Sequence, residues 1–328
     1  MQIVNRNNTM VCAICGNAKC NRIHMIKEMM FGNKGVFSYM ECYECGCLQI
    51  REVPENISTF YPNQYYSYHN ATPSINGVIS KYLRRQRASY YLSRKGIIGC
   101  CAALVSIRPY FYDYLIHANV RIDHTILDVG CGTGKLLLDI RKDEIVNVSG
   151  IDPYIPDDIS YANGVIISKK AVHELGGQYE FIMLHHSFEH MPNQFDVMKA
   201  LYGATKQEGC VLIRIPIAAC YAWRTYGVNW VQLDAPRHLF IHTVKSMIQL
   251  AESSGFKVKD IVYDSNELQF WGSEQYLMGI PLMGNRSYAI NPDKSIFSKE
   301  QILKYKSQAR NLNRAGDGDM ACFYLLKA

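Results

Sequence analysis

The chain has 328 residues, of which 48% are hydrophobic, so it can bury one large core, or one core and a small module. Its 35 basic and 29 acidic residues give a net charge of +6, which suits an anionic substrate without requiring nucleic acid. Twelve cysteines in a chain of this length that shows no secretory signal pattern favour metal ligation and reduced thiols in the cytoplasm over a disulfide framework.

The first 58 residues are predicted to form a small zinc ribbon. Two C-x-x-C-G pairs supply four thiolates suited to tetrahedral Zn²⁺: Cys12, Cys15, Cys42 and Cys45. The residues between the pairs read as a hairpin with strands at 24–31 and 36–40. A closed four-thiolate site has no open position for chemistry, so the zinc is expected to be structural. Because the loop between the pairs is long, Cys20, His24 or Cys47 could replace a ligand.

Residues 59–120 are predicted to be an aromatic linker and a helical region. Phe60 to Tyr68 contains five aromatic residues, which could stack on a sugar-like ligand or simply pack as a linker. The basic segment 81–87 is expected to be the solvated face of a helix, with phosphate binding as the alternative. The apolar stretch 97–107 is too short to span a bilayer, which takes about 20 residues. It is expected to be a buried helix, with weak contact to a membrane surface as the alternative.

Residues 121–328 alternate between strands and helices, which predicts an α/β fold. Parallel strands are expected near 125–130, 146–151, 164–168, 179–185 and 209–215, with ligands at their carboxyl ends. A sixth strand is expected at 256–263 and a last one at 320–327. Residues 264–319 are too long for a loop and are expected to be a helical insertion over the substrate. Within them, 269–276 could form a substrate wall, the preferred interpretation, or ordinary packing.

A glycine-rich turn after the first of these strands is a candidate cofactor cradle. Gly130, Gly132 and Gly134 lack the Cβ atoms that would keep a ligand away from the backbone, and a helix-forming segment follows. The pattern G-x-G-x-G-K, with Asp128 just before it, matches neither the nicotinamide fingerprint nor the P-loop. The second strand ends in Asp152, whose carboxylate could accept hydrogen bonds from both hydroxyls of a ribose.

These elements resemble the first two motifs of the class I S-adenosylmethionine-dependent methyltransferases. Residues 127–134, Leu-Asp-Val-Gly-Cys-Gly-Thr-Gly, look like the first motif, and Gly150-Ile151-Asp152 look like the second. The resemblance implies a Rossmann-like, seven-stranded methyltransferase sheet whose last strand inserts antiparallel. It also implies that S-adenosylmethionine is the cofactor, with these contacts: Asp128, Gly130, Gly132, Gly134, Asp152 and His185.

The resemblance further implies that the segment after the fourth core strand borders the methyl donor and the acceptor. Three residues there are base candidates: His186, Glu189 and His190. Formally they match the H-x-x-E-H pattern of zinc proteases, but that chemistry needs both imidazoles on one helix face, whereas these residues leave a strand, so a second metal site is not expected. His238 lies in a proline-containing loop at the same sheet edge, where an imidazole can take the acceptor's proton. Its neighbour Arg237 could hold a phosphate.

With its cysteine pairs and the Tyr61-Pro62 and Tyr65-Tyr66 segment, nearly the whole chain resembles the zinc-ribbon sugar methyltransferases, which act on nucleotide-linked deoxysugars or cell-surface glycans. The C-methylating members carry a Tyr-x-Glu-His element and an extra C-terminal domain, whereas only His238 of that element is present here and this chain ends after the last core strand. We therefore expect methyl transfer to a hydroxyl of a sugar nucleotide or glycan. The alternatives are C-methylation of a keto-deoxysugar nucleotide, a nucleic-acid methyltransferase and a non-catalytic binding module; nucleic acid is not expected, because the basic residues form no single long stripe.

Overall fold

Two β-sheets and their flanking helices make up the computed structural model, which describes residues 10–33, 35–61 and 77–327. The strands are β1 (Arg22–Lys27), β2 (Val36–Glu41), β3 (Leu48–Ile50), β4 (Ile126–Val129), β5 (Val148–Ile151), β6 (Ile159–Ser160), β7 (Ile166–Ser168), β8 (Tyr179–His185), β9 (Thr205–Pro216), β10 (Phe240–Ile241), β11 (Lys257–Tyr263) and β12 (Met320–Leu326). The helices are α1 (Val78–Ser93), α2 (Ile97–Leu104), α3 (Phe111–His117), α4 (Lys135–Lys142), α5 (Gln194–Ala204), α6 (Tyr221–Tyr226), α7 (Val244–Ser253), α8 (Leu268–Leu277) and α9 (Lys299–Arg314). Short 3₁₀ helices lie at Ile57–Phe60, Val172–Glu174, Phe188–His190, Gly227–Asn229, Val231–Leu233 and Pro292–Lys294.

The larger sheet is mostly parallel, with the strand order β11-β12-β9-β8-β4-β5-β7-β6. β4 pairs in parallel with β5 and β8, whereas β12 is antiparallel to both β9 and β11. These pairings confirm the predicted α/β fold and its antiparallel last strand. The predicted count of seven strands is wrong, because β6 pairs antiparallel with β7 and adds an eighth strand at the edge of the sheet. A two-residue strand has no side-chain periodicity from which it could be predicted.

Helices cover both faces of this sheet. α5 and α7 pack against one face, where Leu127 and Val129 of β4 point. α1, α3 and α4 pack against the other face, where Ile126 points. All four residues of β4 are therefore buried, as expected for a central parallel strand. The carboxyl ends of β4, β5 and β8 open at one edge of the sheet, and the turns that follow them form the candidate site.

The N-terminal module shares a sheet and a core with the rest of the molecule. β1, β2 and β3 form an antiparallel sheet whose fourth strand is β10, with Ile241 opposite Leu48. The predicted hairpin is present as β1 and β2, although β1 ends at Lys27 rather than Phe31. Cysteine side chains of the module lie in the same buried cluster as Met247 of α7. The module is thus joined to the core domain through its sheet as well as its core.

The apolar segment 97–107 is exposed, so the prediction of a buried helix is wrong. Its large apolar side chains are these, with their exposed fractions: Ile97 (85%), Ile98 (49%), Leu104 (81%), Val105 (87%) and Ile107 (95%). Only Gly99 of α2 is buried. A Cβ on Gly99 would lie 2.2 Å from the carbonyl oxygen of Gln86 on α1, so the two helices meet at the glycine and leave the larger residues outside. No described helix has both the length and the hydrophobicity needed to cross a bilayer.

The insertion at 264–319 contains α8 and α9, as the prediction of a helical segment requires. Residues 269–276, predicted as a substrate wall, are instead packing residues of α8. Ser273 Oγ accepts a hydrogen bond from the Val231 amide at 3.0 Å, and Phe270 stacks on Tyr305 of α9. α8 therefore packs against the loop that leads to His238. Of the aromatic segment 60–68, only Phe60 and Tyr61 belong to the described residues.

Candidate active site

The glycine turn between β4 and α4 is closely packed against its neighbours. Gly130, Gly132 and Gly134 all have positive φ angles, at 76°, 54° and 77°. A Cβ on Gly130 would lie 2.5 Å from the Cβ of Ser187, in the turn after β8. The Ser187 hydroxyl also donates to the Val129 carbonyl at 2.8 Å. Glycine is thus required by conformation and by space, and the turns after β4 and β8 are held in contact.

Two buried carboxyl groups lie beside this turn. The Asp152 carboxylate accepts hydrogen bonds from the amides of Gly132, at 2.9 Å, and Tyr154, at 2.8 Å. Each of its oxygens keeps a second lone pair, which can accept from a ligand hydroxyl. Burial raises the pKa of Asp152, and burial together with the charge of Asp152 raises the pKa of Asp128 to about 7. Two buried acids at one turn favour a positively charged ligand.

Three of the predicted site residues meet at the end of β8. Glu189 and His190 lie in the 3₁₀ helix Phe188–His190, and His238 lies in the loop before β10. One potential ligand atom from each lies within 4.8 Å of the others. The Leu239 amide donates to the Glu189 carbonyl at 2.8 Å, which fixes the loop to the 3₁₀ helix. We call Glu189, His190 and His238 the Glu-His-His cluster.

Glu189 is the most enclosed member of the cluster, at 1% exposure. Its carboxylate oxygens accept no hydrogen bond from the described residues, although His186 Nδ1 lies 3.4 Å and His238 Nε2 3.9 Å from Oε1. Burial raises the pKa of Glu189, but the imidazoles of His186, His190 and His238 outweigh burial and lower that pKa to about 2. A carboxylate with so low a pKa is a weak base near neutrality, which counts against the prediction of Glu189 as the base.

Both imidazoles of the cluster have a defined hydrogen-bond partner at Nδ1. His190 Nδ1 lies 2.9 Å from the Arg237 carbonyl, and His238 Nδ1 lies 2.8 Å from the Gln232 carbonyl. A carbonyl oxygen can only accept, so each Nδ1 carries a proton and each Nε2 carries the lone pair in the neutral ring. Burial and the charge of His238 lower the pKa of His190. Each Nε2 is therefore available to take a proton or to bind a cation.

The two other predicted histidines lie beside the cluster rather than in it. His186 Nε2 contacts the guanidinium of Arg214, which can only donate, so this nitrogen is not free to act as a base. The structure thus places His186 as a positioning residue for Glu189. The ring of His185 lies 4.7 Å from that of Tyr114 on α3, and burial lowers its pKa well below the usual value. A contact between His185 and the cofactor stays a prediction.

Arg237 is fully buried, so the prediction that it holds a phosphate is wrong. Its guanidinium donates to the carboxylates of Asp234 and Glu28, at 2.5 Å and 2.9 Å, and to the Phe60 carbonyl. The Tyr39 hydroxyl donates to the His238 carbonyl at 2.7 Å. Glu28 and Tyr39 belong to the N-terminal module, so this module fixes the histidine loop. Sequence reasoning missed both residues, because neither belongs to a motif.

The four predicted metal ligands also meet. Cys12 Sγ lies 3.6 Å from Cys45 Sγ, and Cys15 Sγ lies 3.4 Å from Cys42 Sγ. These separations are too long for disulfides and close to the edge of about 3.8 Å of a tetrahedron with Zn–S bonds of about 2.3 Å. The three alternative ligands are engaged or lie elsewhere: Cys20 is exposed, His24 pairs with Glu41, and Cys47 is buried with its Sγ against the Leu48 carbonyl. The donor set fits one tetrahedral ion.

Comparison with known proteins identifies one matching family. A family model described as a methyltransferase domain matches residues 85–261. The chain is 25% identical over 159 residues to the ubiquinone biosynthesis O-methyltransferase of Pseudomonas paraeruginosa (strain DSM 24068 / PA7). That alignment covers 42% of this chain and 66% of the relative, so it spans slightly under two thirds of the relative's length.

Comparison with solved structures finds proteins of low sequence identity to this chain. A cyclopropane synthase from Mycobacterium tuberculosis is 17% identical, with a TM-score of 0.39, over 62% of this chain and 78% of that one. The O-methyltransferase of a trans-AT PKS multienzyme of Brevibacillus brevis, in complex with S-adenosyl-L-homocysteine, is 16% identical, with a TM-score of 0.37, over 62% of this chain and 67% of that one. At this level of similarity neither structure carries information on the substrate.

Proposed function

Because this chain belongs to the methyltransferase-domain family, with the class I S-adenosylmethionine-dependent fold, we propose that it methylates a hydroxyl group of a sugar nucleotide or cell-surface glycan. One observation carries the proposal: the glycine turn that would hold the methyl donor touches the segment that carries the Glu-His-His cluster. Gly130 meets Ser187, and Ser187 directly precedes the 3₁₀ helix with Glu189 and His190. A cofactor cradle and groups that can take a proton therefore share one edge of the sheet.

The residues around the turn fit the chemical parts of S-adenosylmethionine. Asp152 has lone pairs for the ribose hydroxyls, and the amino-acid end of the cofactor would lie along the neighbouring glycine turn. The carboxyl groups of Asp128 and Asp152 favour a cationic ligand. When bound, S-adenosylmethionine supplies a methyl group on a sulfonium sulfur that keeps the S–CH₃ electron pair as the methyl leaves.

The Glu-His-His cluster would receive the proton of the acceptor. A hydroxyl oxygen must lose its proton as it gains the methyl group, and the lone pair on Nε2 of His238 or His190 can take it. The Glu189 carboxylate then lies next to the imidazolium and stabilises its charge. Holding donor and acceptor side by side would supply much of the acceleration, because two bound reactants no longer need to meet in solution.

Two lines of support favour an oxygen of a sugar as the acceptor. The relative of matching sequence is an O-methyltransferase by name, which supports oxygen. The resemblance of the cysteine pairs and the Tyr61 segment to zinc-ribbon sugar methyltransferases supports a sugar. Tyr61 lies within 3.2 Å of His190 through its hydroxyl, so this aromatic residue borders the cluster. A cytoplasmic location stays a prediction from the sequence.

The cysteine site would hold structural Zn²⁺. Four thiolates fill the tetrahedral coordination shell and leave no position for a substrate. The ion would order the N-terminal module, which has too little apolar core to fold by itself. Through Glu28 and Tyr39 the ordered module then holds the histidine loop in place.

The test is transfer of labelled methyl groups from S-adenosylmethionine to pools of sugar nucleotides and glycan extracts by the full-length chain. We expect labelled O-methyl sugars, and we expect His238→Gln to lower turnover by about 10²-fold or more while S-adenosylhomocysteine binds as before. His117→Gln, on the exposed end of α3, is the matched control and should retain full turnover. Labelling of carbon or of nucleic acid, or no labelling in any pool, would contradict the proposal.

A further inference from the structure

We infer that the Glu-His-His cluster is a divalent-cation site that binds the acceptor oxygen, an inference that rests on the proposed function for its role. Ligand atoms from Glu189, His190 and His238 lie within 4.8 Å of one another. Two imidazoles and one carboxylate are the ligand set of catalytic zinc sites and of non-haem iron sites, both of which keep open positions for a substrate.

The hydrogen bonds at Nδ1 prepare both imidazoles to bind a cation. The Arg237 and Gln232 carbonyls hold the protons of His190 and His238 on Nδ1, which leaves each Nε2 with its lone pair. Metal-binding histidines in proteins usually donate their other ring N–H to a carbonyl or a carboxylate, which fixes the tautomer and the ring orientation. The supporting contacts of such a site are therefore present.

The Glu189 carboxylate also points to a bound cation. It is 1% exposed, and among the residues that the structure describes it receives no hydrogen bond at either oxygen. A buried anion without a short hydrogen bond is costly, and the ring nitrogens nearest to Oε1 are Nδ1 of His186, at 3.4 Å, and Nε2 of His238, at 3.9 Å. A cation bound between Glu189 and the two Nε2 atoms would satisfy all three groups at once.

The ligands of this site differ from those that the H-x-x-E-H spacing suggests. That pattern would pair His186 with His190, but His186 Nε2 is held by Arg214. His238, from a loop that lies 48 residues after His190, takes its place. With both Nε2 atoms on the cation, neither imidazole would take the acceptor's proton, and the cation would activate the acceptor instead. A hydroxyl oxygen bound to the cation would lose its proton to solvent at a lower pH than a free hydroxyl, which makes it the better nucleophile.

The experiment measures metal uptake rather than activity. The full-length chain, with its cysteine site loaded with zinc, is dialysed against metal-free buffer and titrated with Co²⁺ alone. Bound cobalt is counted by mass spectrometry, and the visible spectrum shows whether thiolates bind it. We expect the wild type to bind one cobalt ion without a thiolate-to-cobalt band. Glu189→Gln and His238→Gln should lose this ion, and His117→Gln, on the exposed end of α3, should keep it.

Retained zinc and an unchanged unfolding temperature show that each variant is folded. No cobalt bound outside the cysteine site of the wild type, uptake unaffected by His238→Gln, or loss of uptake in His117→Gln would each overturn the inference. Metal uptake without methyl transfer would instead overturn the proposed function and leave the site standing. Full methyl transfer by the metal-free chain would leave the proposed function standing and overturn the role of the cation in binding the acceptor oxygen.

A separate observation concerns the exposed α1–α2 hairpin, for which we propose contact with an anionic membrane surface. We call the exposed apolar side chains on α2 and just after it the hairpin tip: Ile97, Ile98, Leu104, Val105 and Ile107. The exposed cations Arg94, Lys95 and Arg108 flank the tip. An apolar tip with a basic border matches the hydrocarbon boundary and the negative head groups of a bilayer surface.

Sedimentation with lipid vesicles tests this contact. We expect the full-length chain to sediment with vesicles that contain phosphatidylglycerol, less so at high salt, and not with neutral phosphatidylcholine vesicles. The variant Ile97→Ser/Val105→Ser/Ile107→Ser should lose binding, whereas Leu303→Ser, an exposed apolar residue on α9, should retain it. Vesicle binding that the triple variant leaves unchanged would overturn the proposal. If the wild type is instead a dimer and the triple variant a monomer, the partner of the tip is a second copy of the chain, which would also overturn the proposal.

Discussion

Asp128 is a buried carboxyl group at the end of β4, and burial displaces its ionisation. Its pKa is raised from 3.8 to about 7, so the folded protein favours the protonated form. The stabilisation that this form provides is complete below pH 4 and is lost as the pH rises through 7. Since each pH unit corresponds to about 1.4 kcal/mol, the loss is on the order of 4 kcal/mol.

Asparagine at position 128 cannot ionise and should remove this dependence. We expect the unfolding free energy of Asp128→Asn, measured with urea in the absence of cofactor, to rise relative to wild type between about pH 5 and pH 8. A difference between the two proteins that stays constant over this range would show that Asp128 is ionised throughout.

The variant Gly130→Ala tests whether the glycine turn binds the cofactor. In Gly130→Ala the new Cβ would meet Ser187 at 2.5 Å, and the positive φ would add strain of about 1 kcal/mol. Gly164→Ala is the matched control, because Gly164 also has a positive φ, of 89°, but no atom lies within 4 Å of the added Cβ. By calorimetry, Gly130→Ala should lose at least about tenfold in affinity for S-adenosylhomocysteine, which is about 1.4 kcal/mol. Equal affinity in both variants would contradict a cradle at Gly130.

At the residue scale, the sequence predicts site residues that belong to one local pattern. The glycines, Asp128 and Asp152 follow two strands directly, so their meeting at one edge follows from the parallel sheet. Glu28 could not be predicted, because its partner Arg237 lies 209 positions away. The same distance in sequence explains the wrong phosphate assignment for Arg237, since the residues next to Arg237 in sequence do not reveal that Glu28 is its buried partner.

At the scale of elements, the join between β3 and β10 connects the N-terminal module to the histidine loop. Two ion pairs cross this junction: Glu28 with Arg237, in which both side chains are fully buried, and Glu44 with Lys245, in which both are 60% exposed. Removing the charge of Glu28 weakens buried, charge-assisted hydrogen bonds that water cannot replace, although Arg237 keeps its pair with Asp234, whereas an exposed pair is replaced by water.

Glu28→Gln should therefore destabilise the protein by on the order of 2 kcal/mol and lower turnover, while S-adenosylhomocysteine affinity is unchanged. Glu44→Gln should match the wild type in thermal unfolding and in turnover. Equal effects of the two substitutions would show that the buried pair does not position His238.

Local periodicity predicted most of the elements, and long-range pairing explains those that it missed. The apolar runs at 179–185 and 256–263 correspond to β8 and β11. β10 was missed because two residues carry no period and its partner β3 lies far away in the sequence. The apolar composition of 97–107 predicted burial, but a helix of eight residues that contacts α1 through Gly99 cannot bury its larger side chains.

At the scale of the whole molecule, the cysteine site and the catalytic edge belong to one structure. Removing the zinc by a chelator, or breaking the site by Cys45→Ser, should unfold the N-terminal module and release the loop that carries His238. Turnover should fall well before S-adenosylhomocysteine affinity does, because Gly130 and Asp152 lie outside the module. Cys20→Ser, an exposed thiol in the same module, is the control and should change neither quantity. A parallel loss of both quantities would contradict this division.

The most direct test of the central claim is a crystal structure of the protein with S-adenosylhomocysteine bound. We expect the ribose hydroxyls at the Asp152 carboxylate, the amino-acid end at the glycine turn, and the sulfur facing the Glu-His-His cluster. A cofactor bound at another edge of the sheet, or with its sulfur turned away from His238, would contradict the account.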